Sequence, residues 1–292
     1  MTLWPSISEQ ISATTGTPFS CNERRTVSGG CINAAYVVSD KTRRFFVKLN
    51  DATKSGMFEA EAQGLREIAA TQVIRVPQPI CWGTAEDASY LVLEFIEMGR
   101  GNAAEELGRQ LAALHRASAS RFGWRINNTI GATPQVNTWS DSWTAFWREQ
   151  RLGFQLQLAA RNGAHSCLLN LGERLQGKLD ALLQGHVPQP SLLHGDLWSG
   201  NWGCDTQGAP VIFDPAVYYG DRETDLAMTE LFGGFGPRFY AAYRETYPLD
   251  PGYEVRKTLY NLYHVLNHFN LFGGGYAAQA EQMVQQLLSE AG

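Results

Sequence analysis

The stretch "SLLHGDLWSGNWG", Ser191 to Gly203, places polar residues directly after a short apolar run. Within it, His194, Asp196 and Asn201 form the spacing H-x-D-x-x-x-x-N. A second apolar run, "PVIF", ends at Asp214. The pattern predicts a strand, a turn and a second strand, with Asp196 and Asn201 on the turn and Asp214 closing the second strand.

This set of side chains matches the needs of phosphoryl transfer. One carboxylate must lie within hydrogen-bond reach of the attacking hydroxyl. A second carboxylate and an amide oxygen must hold Mg²⁺ against nucleotide phosphates, because Mg²⁺ prefers hard oxygen ligands. The alternative is that Asp196 and Asn201 only bond their own turn, as Asp and Asn commonly do.

A phosphate site also needs a cation, and Lys48 at the end of "RRFFVKLN" is the candidate. Glu61, or else Glu59, lies on the helix predicted to follow and would hold this lysine in an ion pair. The alternative is an ordinary lysine on an edge strand.

The segment "SGGCIN" before this lysine places Gly29 and Gly30 side by side. Adjacent glycines allow backbone N–H groups to approach phosphate oxygens, although Gly-Gly also occurs in any tight turn. Cys31 beside them is either a small buried apolar residue or, if exposed at a phosphate site, an oxidation-sensitive thiol.

Charged residues are dense in "YYGDRETDLAMTELFGGFG", which begins at Tyr218. Acidic residues suit the first turn of a helix, and this explains Asp221 and Glu223 as well as a functional role does. For Asp225 we expect a hydrogen bond to the backbone of the 194–201 turn. His268, in "NHFNLFGGGY", is a candidate substrate contact, whereas a helix cap explains the glycines after it.

The coarse organisation predicts an α+β fold with two lobes. Residues 34–40 and 43–50 read as a hairpin, 57–70 as a helix and 89–98 as a strand. The two glycines within 98–101 cannot extend that strand and predict a hinge, after which helical patterns dominate. We expect a small β-rich lobe over 1–97, a larger, mainly helical lobe over 98–292, and a ligand site in the cleft between them.

Composition narrows the class of protein. The 292 residues carry a net charge of −5 without a Lys/Arg tract, which disfavours a nucleic-acid partner. The five cysteines include no CxxC pair, which favours a reducing compartment over a disulfide framework or zinc site. The charge-free tract 258–280 contains Asn, His and Gly, so we expect no membrane span, and the absence of a signal-like N-terminus favours the cytoplasm.

The motifs "HGDLWSGNWG", "FDPAVYYGDRETDLAMTELFGGF" and "LNHFNLFGGGY" together resemble the fructosamine/ketosamine-3-kinase family. That family belongs to the protein-kinase-like superfamily, with aminoglycoside and choline kinases. The resemblance implies a bilobal protein-kinase-like fold, the cofactors ATP and Mg²⁺, and phosphorylation of the sugar 3-hydroxyl of a ketosamine in deglycation repair. Because H-G-D replaces H-R-D and D-P-A replaces D-F-G, a switched activation loop is not expected.

The resemblance also implies roles for individual residues. Asp196 would be the catalytic base, Asn201 and Asp214 would hold the metal, and Lys48 paired with Glu61 would contact the α- and β-phosphates. His194 would brace the turn. The backbone of the strand end is expected to receive adenine, at Glu94, Phe95 and Ile96. The substrate side is expected to include Trp198, Tyr219, Asp221 and Glu223. A redox-sensitive dimer through Cys31 is compatible with the resemblance, so both a monomer and a homodimer stay open.

Three other functions compete with this interpretation. A kinase for an aminoglycoside or a choline-like alcohol shares the H-G-D-x-x-x-x-N motif, but cationic substrates favour an acidic cleft, which the C-terminal helices do not predict. A nucleotide-binding pseudokinase should lack a catalytic residue, and here the lysine, both aspartates and the asparagine are present. A hydrolase would need a nucleophile, and Ser199 stands in no nucleophile-elbow context.

Overall fold

The computed structural model describes residues 2–27 and 32–292. Gly29, Gly30 and Cys31, predicted to approach phosphate or to be redox-sensitive, lie outside the described residues.

Helices in chain order are α1 (Leu3–Thr15), α2 (Ser55–Ala70), α3 (Ala104–Leu114), α4 (Trp143–Phe146), α5 (Phe154–Arg161), α6 (Ser166–Gln176), α7 (Leu179–Leu182), α8 (Glu223–Leu231), α9 (Pro237–Thr246), α10 (Tyr253–Phe272) and α11 (Tyr276–Glu290). A 3₁₀ turn at Ala52–Lys54 precedes α2, and a π-helical segment at Trp147–Gly153 joins α4 to α5.

Strands in chain order are β1 (Glu23–Val27), β2 (Ala34–Ser39), β3 (Arg44–Asp51), β4 (Pro79–Ala85), β5 (Ala88–Glu94), β6 (Asn128–Ile130), β7 (Thr133–Gln135), β8 (Ser191–Leu193), β9 (Trp202–Cys204), β10 (Pro210–Ile212) and β11 (Tyr218–Gly220).

The chain forms two compact units. The first consists of 1–103 and 202–215, and the second of 104–201 and 216–292. The first is β-rich and the second mainly helical, as predicted. The segment 202–215 packs with the N-terminal residues, so these units are not the same division as 1–97 and 98–292, which stays a prediction of domain boundaries.

The first unit contains a five-stranded antiparallel sheet with the order β1-β2-β3-β5-β4. The predicted β2–β3 hairpin is confirmed, and Asp40 closes its turn by accepting from the N–H groups of Thr42 and Arg43 at 2.7 and 2.6 Å. Lys48 lies opposite Ala35 on one side and Leu91 on the other. The strand of Lys48 is therefore an inner strand, which excludes the edge-strand alternative.

Helix α1 was not predicted from the sequence. Its Ser and Thr residues are weak helix formers, and only Ile7 and Ile11 of this helix are buried. These two side chains pack in one cluster with sheet residues that include Val38 and Val92. Burial of each isoleucine contributes about 1.5–3 kcal/mol, so tertiary packing explains a helix that local propensity does not indicate.

The glycines of 98–101 serve close packing. The N–H of Gly99 donates to the carbonyl of Cys204 at 2.8 Å, and Met98 forms an antiparallel bridge with Asp205. A Cβ at Gly99 would lie 2.5 Å from the carbonyl oxygen of Asp205. Close approach of two backbones therefore requires glycine at this position, which was predicted only as part of a hinge.

The two strands predicted around the H-G-D turn are β8 and β10, and each pairs with a different strand. Strand β8 pairs with β11 in the second unit, whereas β10 pairs with β9 in the first. The strand β9 was missed because it is three residues long and begins next to the polar turn. The second unit also contains α10, and Gly273 caps its end, in agreement with the helix cap predicted from the glycines after His268. Over the described residues, no helix combines the length and apolar character needed to cross a membrane.

Candidate functional site

In the first unit, Lys48 holds two carboxylates. Its Nζ lies 2.6 Å from Oε1 of Glu61 and 2.5 Å from Oδ1 of Asp214. The predicted contact between Lys48 and Glu61 is thus confirmed, and Glu59 is excluded as the partner because it accepts from Gln63 instead. These three residues gather one ammonium and two carboxylates at the end of an inner strand.

Lys48 remains a cation in this environment. Burial by itself lowers the pKa of the ammonium, but the charges and hydrogen bonds of Asp214 and Glu61 outweigh burial and raise that pKa well above its usual value. The side chain of Asp214 stays 47% exposed, whereas that of Lys48 is 6% exposed. Lys48 is therefore a fixed positive charge, with an accessible carboxylate beside it.

Asp214 has an unusual backbone conformation. Its φ is +58°, in the left-handed region, and Pro215 follows it. Aspartate tolerates this region better than most side chains do. Strained residues of this kind are frequent at ligand sites, because surrounding structure must compensate for the strain.

In the second unit, Asp225 holds the H-G-D turn by its backbone. Its carboxylate accepts from the N–H of His194 at 2.7 Å and from that of Gly195 at 2.8 Å. The hydrogen bond predicted for Asp225 is confirmed. His194 is fully buried, and its Nδ1 accepts from the N–H of Asp196 at 3.2 Å, which agrees with a bracing role.

Asn201 fixes the other side of Asp196. Its Nδ2 donates to the carbonyl of Asp196 at 2.8 Å and to Oδ2 of the same residue at 3.3 Å. The alternative interpretation, in which Asn201 bonds its own turn, accounts for the amide nitrogen. The amide oxygen takes no part in these two bonds, and it is the atom of the side chain that would bind a cation.

A buried chain of polar groups lies behind Asp225. Nε2 of His115 lies 3.1 Å from Oδ2 of Asp225, and Nδ1 lies 2.7 Å from the hydroxyl of Tyr243, which accepts from Arg222 at 3.2 Å. Burial alone raises the pKa of Asp225, but the hydrogen bond and charge of His115 and the bonds from the turn outweigh it, so that pKa is lowered. Asp225 is therefore an anion that the surrounding donors stabilise.

Two predicted substrate residues need correction. Asp221 and Glu223 are 1% and 0% exposed. The Arg256 guanidinium holds Glu223 at 2.6 and 2.9 Å, and Asp221 accepts from Tyr260 at 2.6 Å and contacts His186 at 2.7 Å. Because their oxygens are buried and bonded inside the unit, they stabilise the start of α8 and are not available to a substrate.

The other predicted substrate residues fall into two aromatic groups. Trp198 is 37% exposed, and its ring meets that of Phe232 at 6.4 Å, while Phe232 meets His268 at 4.9 Å. Tyr219 stacks on Trp139 at 6.2 Å. Phe232, which the sequence did not single out, brings Trp198 and His268 into one half-exposed aromatic surface. Substrate contact at these residues stays a prediction.

The strand end predicted to receive adenine has its own contacts. The N–H of Glu94 donates to the carbonyl of Gln78 at 2.8 Å, and the Glu94 side chain accepts from Arg75 at 3.0 Å. Phe95 lies under the Arg44 guanidinium, and Ile96 is buried. Adenine binding by this backbone stays a prediction.

Comparison with solved structures defines the class of fold. Aminoglycoside phosphotransferase APH(4)-Ia, as a thermostable mutant in a ternary complex with AMP-PNP and hygromycin B, matches with a TM-score of 0.63 at 16% identity over 98% of each chain. A candidate fructosamine-3-kinase from Haemophilus somnus 129PT matches with a TM-score of 0.90 at 30% identity, also over 98% of each chain. The fold is α+β and protein-kinase-like.

The sequence comparisons narrow this class to a family. The fructosamine kinase family model matches residues 3–290, and the chain belongs to this family. A probable ketoamine kinase of Synechocystis is 56% identical over 98% of this chain and 97% of its own length. The chloroplastic protein-ribulosamine 3-kinase of Arabidopsis thaliana is 46% identical over 90% of this chain and 81% of its own length.

Gly195 provides a test of the turn geometry. Its φ is +82°, and an added Cβ would lie 2.1 Å from the carbonyl oxygen of Ala216. Gly163 in the same unit has φ +81° with open space around it. We expect Gly163→Ala to lower the free energy of unfolding by about 1–2 kcal/mol through backbone strain alone. Gly195→Ala should cost a further ~1–3 kcal/mol through the clash.

Urea unfolding, followed by circular dichroism, measures both variants. Equal loss of stability in Gly195→Ala and Gly163→Ala would contradict the tight contact between the H-G-D turn and residue 216.

Proposed function

We propose that this protein is an ATP-dependent ketosamine 3-kinase, which phosphorylates the sugar 3-hydroxyl of glycation adducts and so acts in deglycation. The observation that carries the proposal is the fixed carboxylate of Asp196, held by Asn201 on a turn bonded to Asp225, in a member of the fructosamine kinase family. The relatives' names support a ketoamine substrate over an aminoglycoside or choline, because the aminoglycoside phosphotransferases share the fold at low identity.

Asp196 is the proposed catalytic base. Asn201 bonds both its carbonyl and its carboxylate, so the orientation of the carboxylate is restricted. A carboxylate in this role accepts a hydrogen bond from the attacking hydroxyl and takes its proton as the phosphoryl group is transferred. His194 and Asp225 act through the backbone of the turn and do not touch the substrate.

Asn201 and Asp214 are the proposed ligands of Mg²⁺. An amide oxygen and a carboxylate are hard donors, and the exposed side of Asp214 and the oxygen of Asn201 suit that cation. When bound, Mg²⁺ neutralises charge on the nucleotide phosphates. Lys48, held by Glu61, is the proposed contact of the α- and β-phosphates, and ATP use is supported by the AMP-PNP complex of a fold neighbour.

The proposal extends to the remaining parts of the site. The backbone of Glu94 to Ile96 would receive adenine, and the glycines 29 and 30 would approach the phosphates. The aromatic surface of Trp198 and His268 would contact the ketoamine, because aromatic faces attract the ammonium of a secondary amine. We propose the cytoplasm as the site of action. Both a monomer and a homodimer are compatible with the proposal.

A substrate panel with ATP and Mg²⁺ tests the proposed function. We expect turnover of fructosyl- or ribulosyl-lysine and little or none of kanamycin and choline. ADP formation is measured by a coupled assay, with each acceptor omitted in turn to subtract ATP hydrolysis. Turnover of kanamycin or choline without turnover of either glycated lysine would overturn the proposal.

Substitution of Asp196 tests its role. Asp196→Ala should lower kcat about 10²–10⁴-fold, because the general base is lost, while the affinity for ATP changes little. Asp180→Ala is the matched control, since Asp180 is an exposed carboxylate paired with Arg148 in the same unit. Full activity of Asp196→Ala would rule out the assigned mechanism, and a nucleotide-binding protein inactive with or without the substitution would favour a pseudokinase.

A further inference from the structure

The β9–β10 hairpin leads directly to Asp214, and hydrogen bonds inside the first unit stabilise both its end and its turn. Near its end, the N–H of Ile212 donates to the carbonyl of Arg75 at 3.0 Å, and Arg75 forms a parallel bridge with Val211. At its turn, Asp205 accepts from the N–H groups of Gln207 and Ala209, both at 2.9 Å. The backbone thus holds the hairpin at its end and, through the bridge between Met98 and Asp205, at the start of its turn, and a side-chain contact is added there.

The Arg75 side chain provides that contact. Its Nη1 donates to Oδ2 of Asp205 at 2.6 Å, and its Nη2 donates to Oε1 of Glu94 at 3.0 Å. The Asp205 side chain is 4% exposed, whereas those of Arg75 and Glu94 are 42% and 33% exposed. One guanidinium therefore joins the turn of the hairpin to the last residue of β5.

These contacts connect two parts of the proposed nucleotide site. Strand β5 ends at Glu94, where the proposed adenine-binding backbone begins, and pairs with β3, which carries Lys48. The hairpin carries the chain to Asp214, two residues after β10. A planar guanidinium presents several donors in a fixed fork and so holds two carboxylates in a defined arrangement, whereas the ammonium of a lysine is a point charge on a flexible stem.

We propose that Arg75 is a positioning residue for Mg²⁺·nucleotide binding, because it fixes the hairpin that carries Asp214 relative to the strand end at Glu94. The inference rests on the proposed function. Arg75 itself does not touch the metal or the nucleotide; it acts through Asp205. Its loss should weaken the metal-dependent part of nucleotide binding and leave the metal-free part unchanged.

Loss of this side chain should leave the fold intact. Arg75 is partly exposed, so its removal creates no buried cavity, and the partly exposed ion pair between Arg75 and Glu94 contributes little to stability. Asp205 keeps its two backbone hydrogen bonds, and the backbone bridge to Val211 does not depend on the side chain. A change in metal dependence is therefore separable from unfolding.

The test compares Arg75→Gln with Arg109→Gln. Arg109 is a matched control because its side chain is 45% exposed and paired with Glu105, on α3 of the other unit. ADP binding is titrated calorimetrically over a series of Mg²⁺ concentrations and with EDTA, without any ketoamine. We expect Arg75→Gln to raise the Mg²⁺ concentration for half-maximal enhancement of ADP binding about three- to tenfold, the effect of losing one hydrogen bond of ordinary net strength.

Metal-free ADP affinity should match wild type, and Arg75→Lys should show a smaller shift, because one ammonium can still reach Asp205. An unchanged Mg²⁺ midpoint in Arg75→Gln, or an equal loss of metal-free affinity, would overturn the proposal. If the wild type binds ADP in the expected Mg²⁺-dependent manner but phosphorylates no ketoamine, only the proposed function would be contradicted. Absence of Mg²⁺-dependent binding in the wild type would overturn both.

Discussion

The carboxylate of Asp225 is the constraint on which the H-G-D turn depends. It accepts from two consecutive backbone N–H groups, those of His194 and Gly195, and both bonds are buried. A buried carboxylate is costly unless hydrogen bonds stabilise its charge. His115, directly after α3, supplies a third contact, so the turn is fixed to the end of α3 and to the start of α8, which lie far apart in the chain.

In this arrangement, the residues that support the turn are different from those proposed to react. The acidic residues Asp221, Glu223 and Asp225 lie within one short segment, and all three are buried and bonded to partners inside the second unit. They hold the start of α8 and the turn. Asp196 follows the supported backbone, and its carboxylate is restrained by Asn201. In the first unit, Lys48 is restrained in the same manner by Glu61. Reactive groups placed on such a frame lose little entropy when a substrate binds.

The sequence was informative where chemistry depends on short spacing. Asp196 and Asn201 are five residues apart on one turn, and the pattern of apolar runs located Lys48 on a strand before a helix with Glu61. It was uninformative where packing between distant segments determines which residues are in contact. His115 meets Asp225 across 110 residues of chain, and no local pattern indicates that pair.

The same reason explains the other differences between the predicted and the observed structure. Helix α1 forms because Ile7 and Ile11 pack against the sheet, although its local sequence is a weak helix former. The family resemblance implied a substrate role for Asp221 and Glu223, but their partners Tyr260 and Arg256 lie on α10, and no local pattern indicates those contacts. Gly99 was predicted as part of a hinge, and its role in close packing depends on Asp205, far along the chain.

The position of the transferred phosphate tests the central claim most directly. Ribulosyl-lysine labelled with ¹³C in the sugar is incubated with the protein, ATP and Mg²⁺, and the product is analysed by ¹³C and ³¹P NMR. A ketosamine 3-kinase gives a phosphate coupled to C3 of the sugar. Phosphate on another carbon, or an unchanged ketoamine with a protein that binds ATP, would contradict the claim.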